Sequence, residues 1–263
     1  MEVIMGIGVI YFLVIIIANT LGAISGMGGG ILIKPIFDGI GYDSISAISF
    51  YSAVAVFTMS VVSTYRKVKE ESKFNVFLIV WSAMGAIIGG VGGKNMLDIM
   101  LGNYSSRVVL STQIFITILT IIFALFYSFF NWKSWSLSGF YWYIICGLIL
   151  GFFASFLGIG GGPINVTLLM IMFGMGIKDA AVYSIAIILF SQGSKILAVI
   201  LNGDLIYFDL SMLFFIIPAA ILGGLFGSIL SHTFSDKYVE NIFRGMLIVV
   251  IFINLANGIV LFN

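Results

Sequence analysis

The chain has 263 residues, of which 61% are hydrophobic and 9% charged, with a formal net charge of +1. A soluble globular domain carries roughly 25% charged residues, so this chain has too little polar surface for water and reads as an integral membrane protein. The charge balance excludes a nucleic-acid footprint, the single histidine, His232, excludes a histidine-based metal cluster, and the single cysteine, Cys146, excludes an internal disulfide and reads as a small packing residue in an apolar run.

A spanning helix requires about 20 mainly apolar residues. The first run, 4–25, lacks a basic n-region and a clear cleavage site, so it reads as a helix of the mature chain and not as a signal peptide. It runs into "GMGGGILIKP", Gly26 to Pro35, and a short apolar piece, 30–40. Spans are expected at 44–65, 75–97 and 107–130, with "RKVKEESK" at 66–73 as a solvated loop. "FFNWKSWSLSGFYWY" at 129–143 reads as an interfacial aromatic belt. A span at 139–157 then runs into "GIGGGPINVT", starting at Gly158, and a second short piece, 162–174. Spans at 179–201, 208–231 and 239–262 complete a set of eight. Each short piece reaches only about 18 Å, against a bilayer core of about 30 Å.

The order of these elements repeats. Gly26, Gly28, Gly29 and Gly30 match Gly158, Gly160, Gly161 and Gly162 at an offset of 132. Gly41 and Ser49 match Gly176 and Ser184 at 135, and "AIIGGVGG" at 86 matches "AILGGLFG" at 220, at 134. The chain therefore divides into two transmembrane repeats, 1–133 and 134–263, of five segments each. Gly89, Gly90, Gly223 and Gly224 read as helix-packing positions. Lysine and arginine favour the cytoplasmic side. Parallel halves place Arg66, Lys67, Lys69, Lys73 and Lys133 inside and Lys94, Arg107, Lys178, Lys237 and Arg244 outside, five against five. If each glycine break is the tip of a hairpin, Lys178, Lys237 and Arg244 move inside, giving eight against two. The expected fold is an all-α polytopic membrane protein of two inverted repeats, each a glycine-broken helical hairpin plus three spanning helices, with both termini outside.

Interrupted helices in inverted repeats place a substrate near the membrane midplane. The short pieces begin with free N–H groups, and a helix N-terminus attracts anions. Gly26, Gly28, Gly29, Gly30, Gly158, Gly160, Gly161 and Gly162 are thus expected to form a paired anion cradle; the alternative is that they only let the hairpins turn. No strand or Walker lysine accompanies them, so no nucleotide or other cofactor is expected. Lys195 lies inside a span, where a charge costs about 2.5–3.5 kcal/mol; it is either a cationic substrate partner, with Ser191, Gln192 and Ser194 adding hydrogen bonds, or a snorkelling anchor. The same two readings apply to Lys34. Asn165 is a ligand candidate, whereas Asn19 serves to satisfy broken backbone. The acidic residues cluster near predicted span ends, which argues against an acidic proton relay.

The two GxGGG motifs, the length and the hydrophobic two-fold repeat resemble the sulfite exporter TauE/SafE family of membrane permeases over essentially the whole chain. Pro35 fits the proline that follows the family's first motif; in the second half Pro163 directly follows Gly162, and Thr167 stands at the matching position. The resemblance implies a multi-pass cell-membrane transporter of about eight helices for sulfite, sulfoacetate or related organic acids. The expected partners are a small anion and the bilayer, with a homo-oligomer left open and no nucleic acid. An anion channel shares the architecture. An intramembrane enzyme would have to use Lys195 as base with Ser191 or Ser194.

Overall fold

The computed structural model describes residues 2–70, 75–130 and 132–262. These form ten α-helices: α1 (Glu2–Ser25), α2 (Gly30–Ile40), α3 (Ile45–Glu70), α4 (Val76–Asn103), α5 (Ser106–Phe129), α6 (Phe140–Phe156), α7 (Pro163–Phe173), α8 (Ile177–Leu201), α9 (Leu213–Thr233) and α10 (Asp236–Phe262), with two 3₁₀ turns between α8 and α9. No strand occurs among the described residues. In lipid every backbone polar group must be satisfied within the protein, which makes helices the default for such apolar runs. Seven helices are long and apolar enough to cross a membrane. The expected eighth span, α6, has only 17 residues, about 25 Å at 1.5 Å per residue, because the second glycine break ends it early.

α1 and α2 form a hairpin that returns to its starting side. Tyr11 of α1 stacks on Phe37 of α2 at 3.6 Å and donates a 2.7 Å hydrogen bond to Asp43. α6 and α7 do the same: Tyr143 packs edge-on against Phe173, and the N–H groups of Trp135 and Leu137 donate to the carbonyls of Ile171 and Met172 in the last turn of α7. Both short helices close on a left-handed glycine, Gly41 (φ 67°) and Gly174 (φ 68°). The base of the first hairpin shares one face, here the near face, with the α4 terminus and the 204–209 turn, through Lys94–Asp204 and Tyr51–Asp209. The base of the second shares the opposite, far face with Asn75, whose N–H donates to Tyr183, and with Lys67 beside Ser231.

The glycine pairs are packing ridges, as expected. Gly85, Gly89 and Gly93 of α4 ride on the carbonyls of Ile144, Leu148 and Phe152 of α6, and Gly223 and Gly227 of α9 ride on those of Ile16 and Thr20 of α1. The four-residue spacing keeps a flat seam on one helix face, so the two backbones touch. Cys146 is fully buried in that core. The aromatic stretch is exposed at Phe129, Phe130, Trp132, Trp135, Tyr141 and Trp142, as a belt would be.

Two expectations are corrected. The basic run at 66–73 is not a loop throughout: α3 continues to Glu70, Lys67 is buried, and 71–74 lie outside the described residues. Lys94 is likewise no loop residue but a buried member of α4, ion-paired to Asp98 at 2.5 Å and Asp204 at 2.7 Å. Lys178, Lys237 and Arg244 also sit on helices, α8 and α10, where Arg244 pairs with Glu240 and stacks over Phe129.

Candidate functional site

Each hairpin turns on left-handed glycines: Gly26 and Gly28 at φ near +77°, Gly158 and Gly160 at +70° and +65°. A side chain at these four positions is strained. The N–H of Gly28 reaches back to the Gly22 carbonyl and that of Gly160 to the Ala154 carbonyl, the same closure in both halves. The two tips touch. Gly30 abuts the Ile159 carbonyl so closely that a Cβ would overlap its oxygen, and a Cβ on Gly161 would stand 2.6 Å from the Met27 carbonyl oxygen. Among the described residues the N–H groups of Gly29, Gly30, Gly161 and Gly162 make no hydrogen bond. A helix start leaves such donors free.

α3 and α8 clamp this junction. Val56 and Ile188 press on the tips, Ser52 lies against Gly30, Ser49 against Gly158 and Ala181 against Gly26, while the Ser184 hydroxyl donates to the Gly26 carbonyl at 2.6 Å. These contacts correct the repeat register. Ser49 and Ala181 hold equivalent places, as do Val56 and Ile188, and Met59 and Ser191 against Gly224 and Gly90. Each pair is 132 apart, so Ser184 answers to Ser52 and not to Ser49. The match of Gly41 to Gly176 fails similarly, because Gly174 is the left-handed cap equivalent to Gly41.

Lys195 does not snorkel. It is buried, and its ammonium donates to Ser49 Oγ at 2.6 Å, to the Ser49 carbonyl at 3.2 Å and to the Ser155 carbonyl at 3.3 Å. An ammonium has three donors, and all three end on neutral oxygens beside the second break. Lys34 is different. Its stem runs past Gly158, but its ammonium is ion-paired to buried Asp38 at 2.6 Å, so its charge is already met and it is no surface anchor. Asp38 lies in the last turn of α2, near a segment end as expected, although its side chain is buried.

Asn165 is buried with neither side-chain amide atom bonded, and Gln192 Oε1, Ser52 Oγ and Ser155 Oγ also lack a protein partner. Buried polar atoms are ordinarily paired, which makes these notable. The Ser191 and Ser194 hydroxyls donate to the Ile188 and Ser191 carbonyls of their own helix, and Gln192 donates to Ser191. This removes the geometry of a Lys195 base with either serine. Asn19 presses on Gly29 but does not satisfy the broken backbone as expected: its amide donates to the Ala55 carbonyl within α3, and its Oδ1 has no protein partner. Ser52 and Ser155 escaped the sequence reading, and Ser49 entered it only as a repeat landmark; serines facing inward from apolar helices were the available signal. The cavities at the junction are small, about 20 Å³ beside Lys195 and Ser49 and about 10 Å³ beside Lys34.

Seven membrane-length helices around two touching helix breaks define a multi-pass membrane protein built around a buried polar centre. A family model described as sulfite exporter TauE/SafE matches residues 11–253. The chain therefore belongs to the TauE/SafE family, a family of membrane transporters. No curated protein and no solved structure gives a significant match.

Proposed function

We propose that the protein is a secondary transporter of small sulfur oxyanions or related organic acids, and that the anion binds where the two glycine breaks meet. The observation that carries this reading is Lys195, a buried cation held only by neutral oxygens at the second break. A buried charge with no carboxylate in direct contact is costly, and a small anion supplies that contact. The free N–H groups of Gly29, Gly30, Gly161 and Gly162 offer further donors without intervening side chains. The narrowness of the junction supports a carrier over an open channel, and the occupied Ser191 and Ser194 hydroxyls support transport over catalysis.

We read the halves as inverted repeats. In support, the odd number of full spans α3 to α5 separates the hairpins, so their tips meet from opposite faces. The seams agree: α1 runs alongside α9 from Gly8–Phe215 to Thr20–Gly227, and α6 alongside α4 from Ile144–Gly85 to Phe152–Gly93. The far face, which among the described residues holds seven of the nine lysines and arginines counted, is then cytoplasmic.

The test is flux into proteoliposomes with sulfite, sulfoacetate, sulfate and small carboxylates. Saturable uptake of one or more sulfur oxyanions is expected. Absence of flux for the whole panel refutes the substrate class, and non-saturating single-channel current refutes the carrier.

A further inference from the structure

A wide cavity lies on the far face. It measures about 310 Å³, and its lining includes Lys67, Lys178, Val182, Ser228, Ser231 and His232 together with the carboxylates of Asp179 and Asp236. The repeat register identifies its counterpart. At offset 132 on α3 and α8, Lys178 answers to Ser46, Val182 to Phe50 and Lys67 to Val199. At offset 134 on α4 and α9, Ser228, Ser231 and His232 answer to Lys94, Leu97 and Asp98. All six counterparts line the near-face cavity at Lys195, which measures only about 20 Å³. The two cavities are therefore the same place in the two repeats, one open and one shut. The far cavity sits over the Gly26 break, beside Val182 and thus next to Ala181, and the near one over the Gly158 break, at Ser49.

The shut cavity is filled by charge. Lys94 of the first half reaches both Asp98 and Asp204, the latter in the turn that follows α8 of the second half. The contrast with the open cavity is one of volume, about 310 Å³ against about 20 Å³. A buried ion pair is costly to break from one side only, so the near clasp holds its vestibule closed while the far one stands open.

We propose that the two cavities are the paired vestibules of one path for a small oxyanion, the far one receiving the anion through Lys67, Lys178 and His232, and that Lys94–Asp204 is the gate of the near one. This rests on the transport reading given above. Occupancy is expected to alternate: opening the near vestibule closes the far one.

The experiment uses the full chain in liposomes in a Cys146→Ser background, with a membrane-impermeant maleimide and sulfoacetate, an oxyanion that does not consume the reagent. Asp179→Cys, at an exposed position of the cavity lining, should label from the far face, at least tenfold more slowly when sulfoacetate is present, and Leu97→Cys, at a buried one, should not label. Adding Asp204→Asn, or separately Lys94→Met, should make Leu97→Cys label from the near face at least tenfold faster and slow labelling of Asp179→Cys. Two measurements need no gate variant. Failure of Asp179→Cys to label, or labelling that sulfoacetate leaves unchanged, overturns the receiving vestibule. If Leu97→Cys stays unlabelled in both folded gate variants, the gate is overturned; if both cysteines label fully at once, the path does not alternate. Labelling is read without flux, so alternation without uptake refutes the transported class alone, and uptake without alternation refutes the gate alone.

Discussion

Lys195→Met is the substitution that isolates the charge at the centre of the site. Methionine fills nearly the same volume, so no cavity of consequence opens, and what disappears is one positive charge with its contacts to Ser49 and Ser155. Removing one partner of a buried charge pair costs about 3–5 kcal/mol. At about 1.4 kcal/mol per tenfold, anion Kd should rise by roughly two to more than three orders of magnitude. The folded protein should lose little, because replacing buried charge by an apolar side chain of similar volume is often neutral or stabilising. The Ser49 and Ser155 carbonyls sit within or at the end of helices, where they have other partners. The assay is calorimetric binding of sulfite and sulfoacetate to purified protein, with melting temperature and proteoliposome uptake on the same preparations. Lys195→Arg should retain part of the affinity, since the charge survives in a planar, bulkier form. Wild-type Kd and uptake in Lys195→Met, or a lowered melting temperature with unchanged Kd, would refute the reasoning and leave Lys195 as a structural cation.

Other outcomes follow from the same geometry. Gly30→Ala should destabilise by about 1–3 kcal/mol, an overpacking cost, because its Cβ overlaps the Ile159 carbonyl, whereas Gly245→Ala, with open space around it, should gain about 0.5–1 kcal/mol; thermal melts compare the two. Tyr207→Cys and Lys69→Cys, both exposed, should label from opposite sides of the membrane in a Cys146→Ser background; labelling from one side would refute the inverted arrangement. Burial pushes the Asp43 carboxyl above its ordinary range, and nearby Asp209 adds to this, while the Tyr11 hydrogen bond opposes it. The protonated form is the one favoured on folding, so this contribution to stability is present in acid and is lost as pH rises through the raised pKa. Asp43→Asn should flatten that part of the melting temperature–pH curve.

Much of this protein was legible in its sequence because lipid makes local rules strict. A run of 20 apolar residues has no option but helix, so the spans were readable, and the glycine ridges on α4 and α9 were readable because close packing repeats every four residues. The double GxGGG motif marked both hairpin tips, since left-handed turns at Gly26, Gly28, Gly158 and Gly160 tolerate little else. The bounds of α6 were readable to within a residue at each end, but its 17 residues fall short of a full-length span. What only the tertiary structure decided is pairing. Lys34 and Lys195 look alike in sequence, yet Lys34 finds Asp38 one helical turn away while Lys195 finds Ser49, 146 residues distant. Lys94 looked like a loop charge until Asp204 came to it across 110 residues. The register of α8 against α3 also changed by three residues, almost one turn, which identical residues in an apolar helix cannot fix. Which charge is neutralised and which stays free depends on the distances between helices, and those are set by packing that no single segment contains.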